Sequence, residues 1–248
     1  MRFDILTIFP GMFDAVLGES IVGRARSEGI IEINAVDIRS FSKDKHRKTD
    51  DYPYGGGSGM VMMAQPIYDA YQSIVQHLDY KPKVIYMSPQ GKTLNQKLVN
   101  SLKENRHLIL LCGHYEGVDE RIIEEIVDEE ISIGDYVLTG GELPAMVLID
   151  AITRTLPGVL SSEESYTEES HFNGMLEYPQ YTRPYEFNGR TVPDVLLSGH
   201  HANINKWRRQ QSLIRTYNKR PDLFEKLDLS EEDRKFMNEY IKHNTENI

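Results

Sequence analysis

The 248-residue sequence predicts an α/β protein: a mostly parallel sheet with helices on both faces, followed by a small helical domain. Three observations carry this. Up to about Pro157, apolar or alternating runs of strand length recur between helical patterns, the mark of parallel crossover units. Past residue 160 the chain turns Ser- and Glu-rich and then into helical patterns broken by Pro179, Pro184, Pro193 and Pro221. Hydrophobic residues make up 40% and charged residues 27%. That balance excludes a disordered or collagenous chain, and no apolar run approaches the roughly 18 residues of a membrane span.

Strand patterns fall at 3–8, 31–38, 83–87, 107–112 and 130–133. Helical patterns lie between them. The first, 20–28, stops at Gly29, and the second, 66–78, opens on Pro66 in its first turn. The others are 94–104, 118–127 and 143–156. Helical patterns return at 202–217, 221–227 and 230–243, the last opening on the capping-box-like Ser230-Glu-Glu-Asp233. The expected organisation is a catalytic α/β domain at 1–160, a flexible acidic linker at 161–173 and a helical domain at 174–248.

Net charge is −10, but it is unevenly spread. Between 161 and 180 there are five Glu and no Lys or Arg, whereas 201–220 carries Lys206, Arg208, Arg209, Arg215, Lys219 and Arg220 without an acid. A basic stretch of this kind suits phosphates, with a solvated surface as the plain alternative. The single cysteine, Cys112, sits in an apolar run. It reads as a buried, inert thiol and fits a reducing cytosol. Asp4 interrupts the apolar start, so no targeting segment is expected.

Several common sites are missing from the sequence. There is no phosphate-binding P-loop, no Gly-x-Gly-x-x-Gly after the first strand, no nucleophile elbow and no zinc spacing. What remains is three glycine-bearing loops after consecutive strand patterns: Ser88-Pro-Gln-Gly91, Gly113-His-Tyr-Glu-Gly117 and the stretch from Gly134 to Pro144. In open α/β sheets ligands bind beyond the carboxyl ends of strands, and glycine lets backbone approach them. Glu116 and Asp135 offer negative charge there. A further loop places Lys43, Lys45, Arg47 and Lys48 ahead of Tyr52 and Tyr54, types suited to phosphate contact and base stacking. Trp207, set among cations, reads first as a core anchor of its helix.

Five motifs then point to one family. They are Asp51-Tyr-Pro-Tyr-Gly-Gly-Gly-Ser-Gly-Met60, Cys112-Gly-His-Tyr-Glu-Gly-Val-Asp-Glu-Arg121, Ile133-Gly-Asp-Tyr-Val-Leu-Thr-Gly-Gly-Glu-Leu-Pro144, Pro179-Gln-Tyr-Thr-Arg-Pro184 and Val192-Pro-Asp-Val-Leu-Leu-Ser-Gly-His200. With these in order, nearly the whole chain closely resembles the bacterial tRNA (guanine-N1-)-methyltransferases, the TrmD family of the SPOUT class. The resemblance implies a trefoil-knotted α/β fold, a cytoplasmic homodimer with active sites at the subunit interface, and methylation of N1 of the guanine just 3′ of the anticodon. It implies S-adenosylmethionine as donor and a magnesium requirement, for which no metal site is identifiable. The donor positions it implies are Tyr86, Ser88, Pro89, Gly113, Tyr115, Glu116, Gly117, Ile133, Gly134, Tyr136, Leu138, Gly140, Gly141 and Pro144; Asp135 and Val137 lie in the same loop.

The family's catalytic arginine matches Arg154. Its base, an Asp in an Asp-Ser-Phe pattern, matches Glu169 in Glu169-Ser-His-Phe172, with Glu168 as the alternative. A carboxylate would take the N1 proton while an arginine meets charge on the neighbouring oxygen. The rival readings are a knotted RNA methyltransferase acting on another nucleotide and a non-catalytic RNA-binding protein.

Overall fold

The central strands carry apolar residues on both faces, as a sheet covered on both sides requires. The computed structural model describes residues 1–161 and 169–245, and the chain divides into two units, Met1–Glu163 and Glu164–Ile248.

In the first unit, β1 (Arg2–Thr7), β2 (Glu32–Asp37), β5 (Lys83–Thr93), β6 (His107–Cys112) and β7 (Glu129–Ser132) form a five-stranded sheet of order β2-β1-β6-β5-β7. All four pairings are parallel. Alternate residues feed two cores. Phe3, Ile5, Ile85, Leu108 and Leu110 face one side, packed with residues of α1 (Gly11–Leu17), α2 (Ser20–Ser27), α4 (Gln96–Leu102) and α6 (Glu142–Thr153). Leu6, Val84, Tyr86, Ile109 and Leu111 face the other, packed with α3 (Ala64–Val75) and α5 (Glu120–Ile126). Cys112 is fully buried, and burial raises its thiol pKa well above the ordinary value, as an inert core thiol requires.

Three local expectations change. The segment 88–91 is not a free loop after a strand, because β5 continues to Thr93 past a register shift between Met87 and Lys92. A Cβ on Gly91 would lie 2.4 Å from the Ile131 backbone nitrogen, so only glycine lets the strand press so closely on β7. The stretch 43–60 is not wholly a loop, since β3 (Asp50–Asp51) pairs antiparallel with β4 (Val61–Met62). Helix α1 is too short a pattern to register in the sequence.

In the second unit, the described residues form a hairpin of β8 (Glu186–Phe187) and β9 (Arg190–Thr191), then α7 (His201–Lys219), α8 (Pro221–Phe224) and α9 (Glu231–Thr245). The hairpin was not foreseen, although Asn188 and Gly189, both at positive φ, are a strong turn signal. The Ser230 capping box forms with Asp233: the Asp233 amide donates to Ser230 Oγ at 3.1 Å and the Ser230 amide to Asp233 Oδ2 at 3.4 Å.

Candidate active site

The carboxyl ends of β5, β6 and β7 open onto one cleft of about 400 Å³. Its walls are turns that few residues besides glycine can make. Gly117 and Gly134 stand at φ +130° and +150°, and Tyr115 is itself left-handed at φ 59°. The loop after β7 is pinned by Ser132, whose hydroxyl donates to the Gly134 carbonyl at 2.9 Å and accepts from the Gly134 amide at 3.1 Å. The Gly141 amide donates to the Gly113 carbonyl at 2.9 Å, tying the loop after β7 to the loop after β6. A Cβ on Gly141 would lie 2.8 Å from the Cys112 Cα. The β3–β4 segment braces the loop after β6, with the Glu116 amide donating to the Met60 carbonyl at 3.0 Å and the Met62 amide to the Gly117 carbonyl at 2.9 Å.

Of the sixteen residues expected around the donor, fifteen line this cleft; Asp135 is solvent-exposed and not among its lining residues. Tyr86 forms the inner end. Its ring packs so close to Gly113 that a Cβ there would meet the hydroxyl at 2.7 Å, and burial pushes its pKa up to about 12. Tyr86 is therefore a neutral phenol at physiological pH. Missing from the sequence-derived set were His114, Gln90 and Thr139, which also line the cleft. They sit inside the same loops, and adjacency was the available signal.

Main-chain walls at Gly113, Gly117, Gly134, Gly140 and Gly141 leave bare peptide against the cleft, which suits the flat heterocycle of S-adenosylmethionine. The exposed Glu116 carboxylate suits a cationic ligand. The residues present fit the donor. Among the described residues, no group of three or more His, Cys, Asp or Glu is placed to hold a metal ion.

Arg154 ends α6 as its carboxyl-terminal cap. It lines a separate apolar hollow of about 700 Å³ with Val16, Ile21, Leu143 and Val147, which shares Ile133, Tyr136 and Leu138 with the cleft. Glu169 belongs to the second unit. It begins a hydrogen-bonded turn in which the Phe172 amide donates to its carbonyl at 3.4 Å and the His171 amide to the Met175 carbonyl at 2.7 Å. The turn is fixed on α7, since the Leu176 amide donates to Thr216 Oγ1 at 2.9 Å. His171 takes φ 75°, so the residue that replaces the family's Phe occupies a left-handed position. Glu168 lies outside the described residues.

The six cations of the basic stretch do not all face solvent alone. Lys206 pairs with Glu232 at 2.7 Å, Arg209 with Asp233 at 2.9 Å and Arg220 with Asp222 at 2.7 Å. Arg208 stacks over the Tyr178 ring at 4.7 Å, and Trp207, half-buried, packs against Tyr181 at 6.3 Å. Asp222 is only two residues from Arg220, but Glu232 and Asp233 come from the acid-rich α9 and Tyr178 and Tyr181 from the chain before α7, which sequence distance hid. In the first unit, Tyr52 and Tyr54 are 79% and 100% exposed, so both rings are open to stacking.

A parallel sheet with a glycine-walled cleft across three adjoining strand ends defines an α/β protein of the kind whose ligand sites lie at the carboxyl ends of the strands. The family model described as tRNA (Guanine-1)-methyltransferase TrmD matches residues 1–226. A tRNA (guanine-N(1)-)-methyltransferase of Ruminiclostridium cellulolyticum is 69% identical over 227 residues, 92% of this chain and 97% of that one. Proteins of the same name from Alkaliphilus oremlandii and Moorella thermoacetica are each 56% identical over 247 residues, covering 98% and 99% of this chain and 99% of each relative. The chain belongs to the TrmD family of tRNA (guanine-1)-methyltransferases.

Proposed function

We propose that this protein methylates N1 of the guanine immediately 3′ of the anticodon in tRNA, with S-adenosylmethionine as donor. The convergence of fifteen expected residues on one cleft carries this reading. The donor, when bound, supplies an electrophilic methyl group. Glycine main chain at 113, 117, 134, 140 and 141 seats it, and the buried Tyr86 closes the inner end.

Guanine N1 carries a proton that must leave as the methyl arrives. Glu169 takes it, and Arg154 offers its guanidinium to the negative charge that builds on the neighbouring oxygen. Arg154 belongs to the first unit and Glu169 to the second. The exposed apolar residues Val16, Ile21, Leu143 and Val147 on α1, α2 and α6 suit burial against a second copy, which would make the enzyme a homodimer working at its subunit interface. The tRNA is gripped by α7 and by the cationic Tyr52/Tyr54 hairpin. The trefoil knot, the division at residues 160 and 174, the magnesium requirement and a cytoplasmic site belong to the same proposal. No helix among the described residues is long and apolar enough to cross a membrane.

The test is single-turnover methylation of purified tRNA with mapping of the modified base, with and without chelator. Glu169→Gln should slow it about 10²- to 10⁴-fold, roughly 3–5 kcal/mol of barrier, while both ligands still bind. Glu168→Gln should be nearly silent. The reverse pattern moves the base by one residue, and methyl found on another nucleotide refutes the assigned target.

A further inference from the structure

Behind the cleft wall lies a polar cluster that the proposed reaction does not use. Glu142 opens α6, yet only 2% of it is exposed. Its Oε1 accepts the Thr7 hydroxyl at 2.8 Å, and Thr7 in turn accepts the Phe9 amide at 2.9 Å. Its Oε2 faces His114 Nδ1 at 3.8 Å. That Nδ1 is buried and has no hydrogen-bond partner, a rare state that calls for a cause.

The cluster is one residue from the cleft. His114 and Gly140 line the cleft; Glu142 does not. A Cβ on Gly140 would lie 2.3 Å from His114 Nδ1 and 2.4 Å from Glu142 Oε2. Glycine at 140 is therefore required by the imidazole and carboxylate behind it, whatever stands in front of it in the cleft. The groups met by the carboxylate are a hydroxyl, an imidazole and the buried Cys112 thiol, whose raised pKa owes a second, smaller part to Glu142. None is a lysine or arginine.

We propose that Glu142, acting through His114, makes the cleft prefer a sulfonium cation to a neutral thioether, that is, the methyl donor to its demethylated product. The inference rests on the donor assignment above. The 3.8 Å gap is short enough that a small turn of the imidazole lets Nδ1–H donate to Oε2. Glu142 sits in a site shielded from water, where a carboxylate's field acts over several ångströms. The exposed Glu116 is screened by solvent and contributes less. Glu142 is thus a positioning and charge-setting residue, and the preference it creates lets the spent product leave.

Calorimetry on the full-length protein with S-adenosylmethionine and S-adenosylhomocysteine tests this. Glu142→Gln keeps size and the Thr7 hydrogen bond but removes the charge. Donor affinity should fall about tenfold and product affinity less than twofold. Glu142→Asp should retain the preference. His114→Arg sets a permanent cation against an unchanged carboxylate and should abolish the preference by cancelling the charge, which serves if Glu142→Gln does not fold. Equal losses for both ligands, or no change in either, would overturn the inference and leave the donor reading intact. A wild-type protein that binds neither ligand would remove both.

Discussion

The two ends of the same sheet each bury a carboxylate beside an imidazole, and they use them differently. At the amino end, Asp4 Oδ2 lies 2.6 Å from His107 Nε2, and Asp4 also accepts from Arg2 at 2.8 and 3.2 Å and from Asn34 at 2.8 Å. His107 Nδ1 meets the Tyr80 hydroxyl at 3.1 Å, and Arg106 lies over the Tyr80 ring at 3.2 Å. Every polar group named there has a partner, and β1, β2 and β6 are bound together by the result. At the carboxyl end, the matching distance from Glu142 to His114 is 3.8 Å and one ring nitrogen has no partner. A satisfied network rigidifies a fold; a half-satisfied one beside a cleft holds capacity in reserve for a ligand. The contrast separates residues that hold the sheet from residues that serve the site.

The largest expected effect is at the amino end. Asp4→Asn leaves His107 and Arg2 without their buried anion and should cost about 3–5 kcal/mol of stability, read from denaturant melts, with donor affinity unchanged. Burial raises the Asp4 pKa, but hydrogen bonds from His107, Arg2 and Asn34 outweigh it and hold the pKa below 3.8. A carboxylate depressed in the folded state stabilises above its unfolded pKa, and that stability is lost as pH falls through the folded value. The wild-type melting temperature should therefore drop below about pH 4, and Asp4→Asn should flatten that acid limb. A loss of donor binding in this variant would break the comparison.

Next is the carboxyl end. In Gly141→Val the new Cβ meets backbone at Cys112 and Gly113, which cannot rotate aside as a side chain would. Donor affinity should fall by about 1–3 kcal/mol, roughly 5- to 150-fold, with a smaller loss of stability than Asp4→Asn. Unchanged affinity by calorimetry would remove the cleft from the donor assignment.

The smallest effect concerns α7. With Lys206, Arg209 and Arg220 paired inside the unit, six phosphate contacts are too many to expect from this stretch. Lys219→Ala should flatten the log–log salt slope of tRNA binding by about 0.7–0.9, one contact's worth. Arg209→Glu should instead unfold the second unit by opposing Asp233. An unchanged slope for Lys219→Ala would place the tRNA contacts elsewhere.

Much of this was legible in the sequence. The five sheet strands stood out because two-sided burial writes itself as apolar runs, and strand spacing with intervening helices dictated parallel pairing. The loops of the cleft were legible for a related reason: glycines clustered after consecutive strands have few other uses. The extension of β5 past Met87 and the short β3–β4 pairing were not, because a register shift and a two-residue ladder leave no periodicity to read.

What the sequence by itself determined was the alternation of elements, the family, and which loops bear the site. Tertiary structure alone decided the partnerships. Thr7 and Glu142 are 135 residues apart, and Asp4 and His107 are 103 apart. No local pattern relates them, since β1 and β6 become neighbours only when the sheet is assembled. The same assembly turned the cations of α7 from a uniform basic stretch into some that are paired and some that are not. It also explained Gly140, whose missing side chain is set by His114, brought in from the loop after β6, together with the nearby Glu142. A sequence records the period of each element and its propensity, but the charge that a buried group finally meets depends on which segments the fold brings against it.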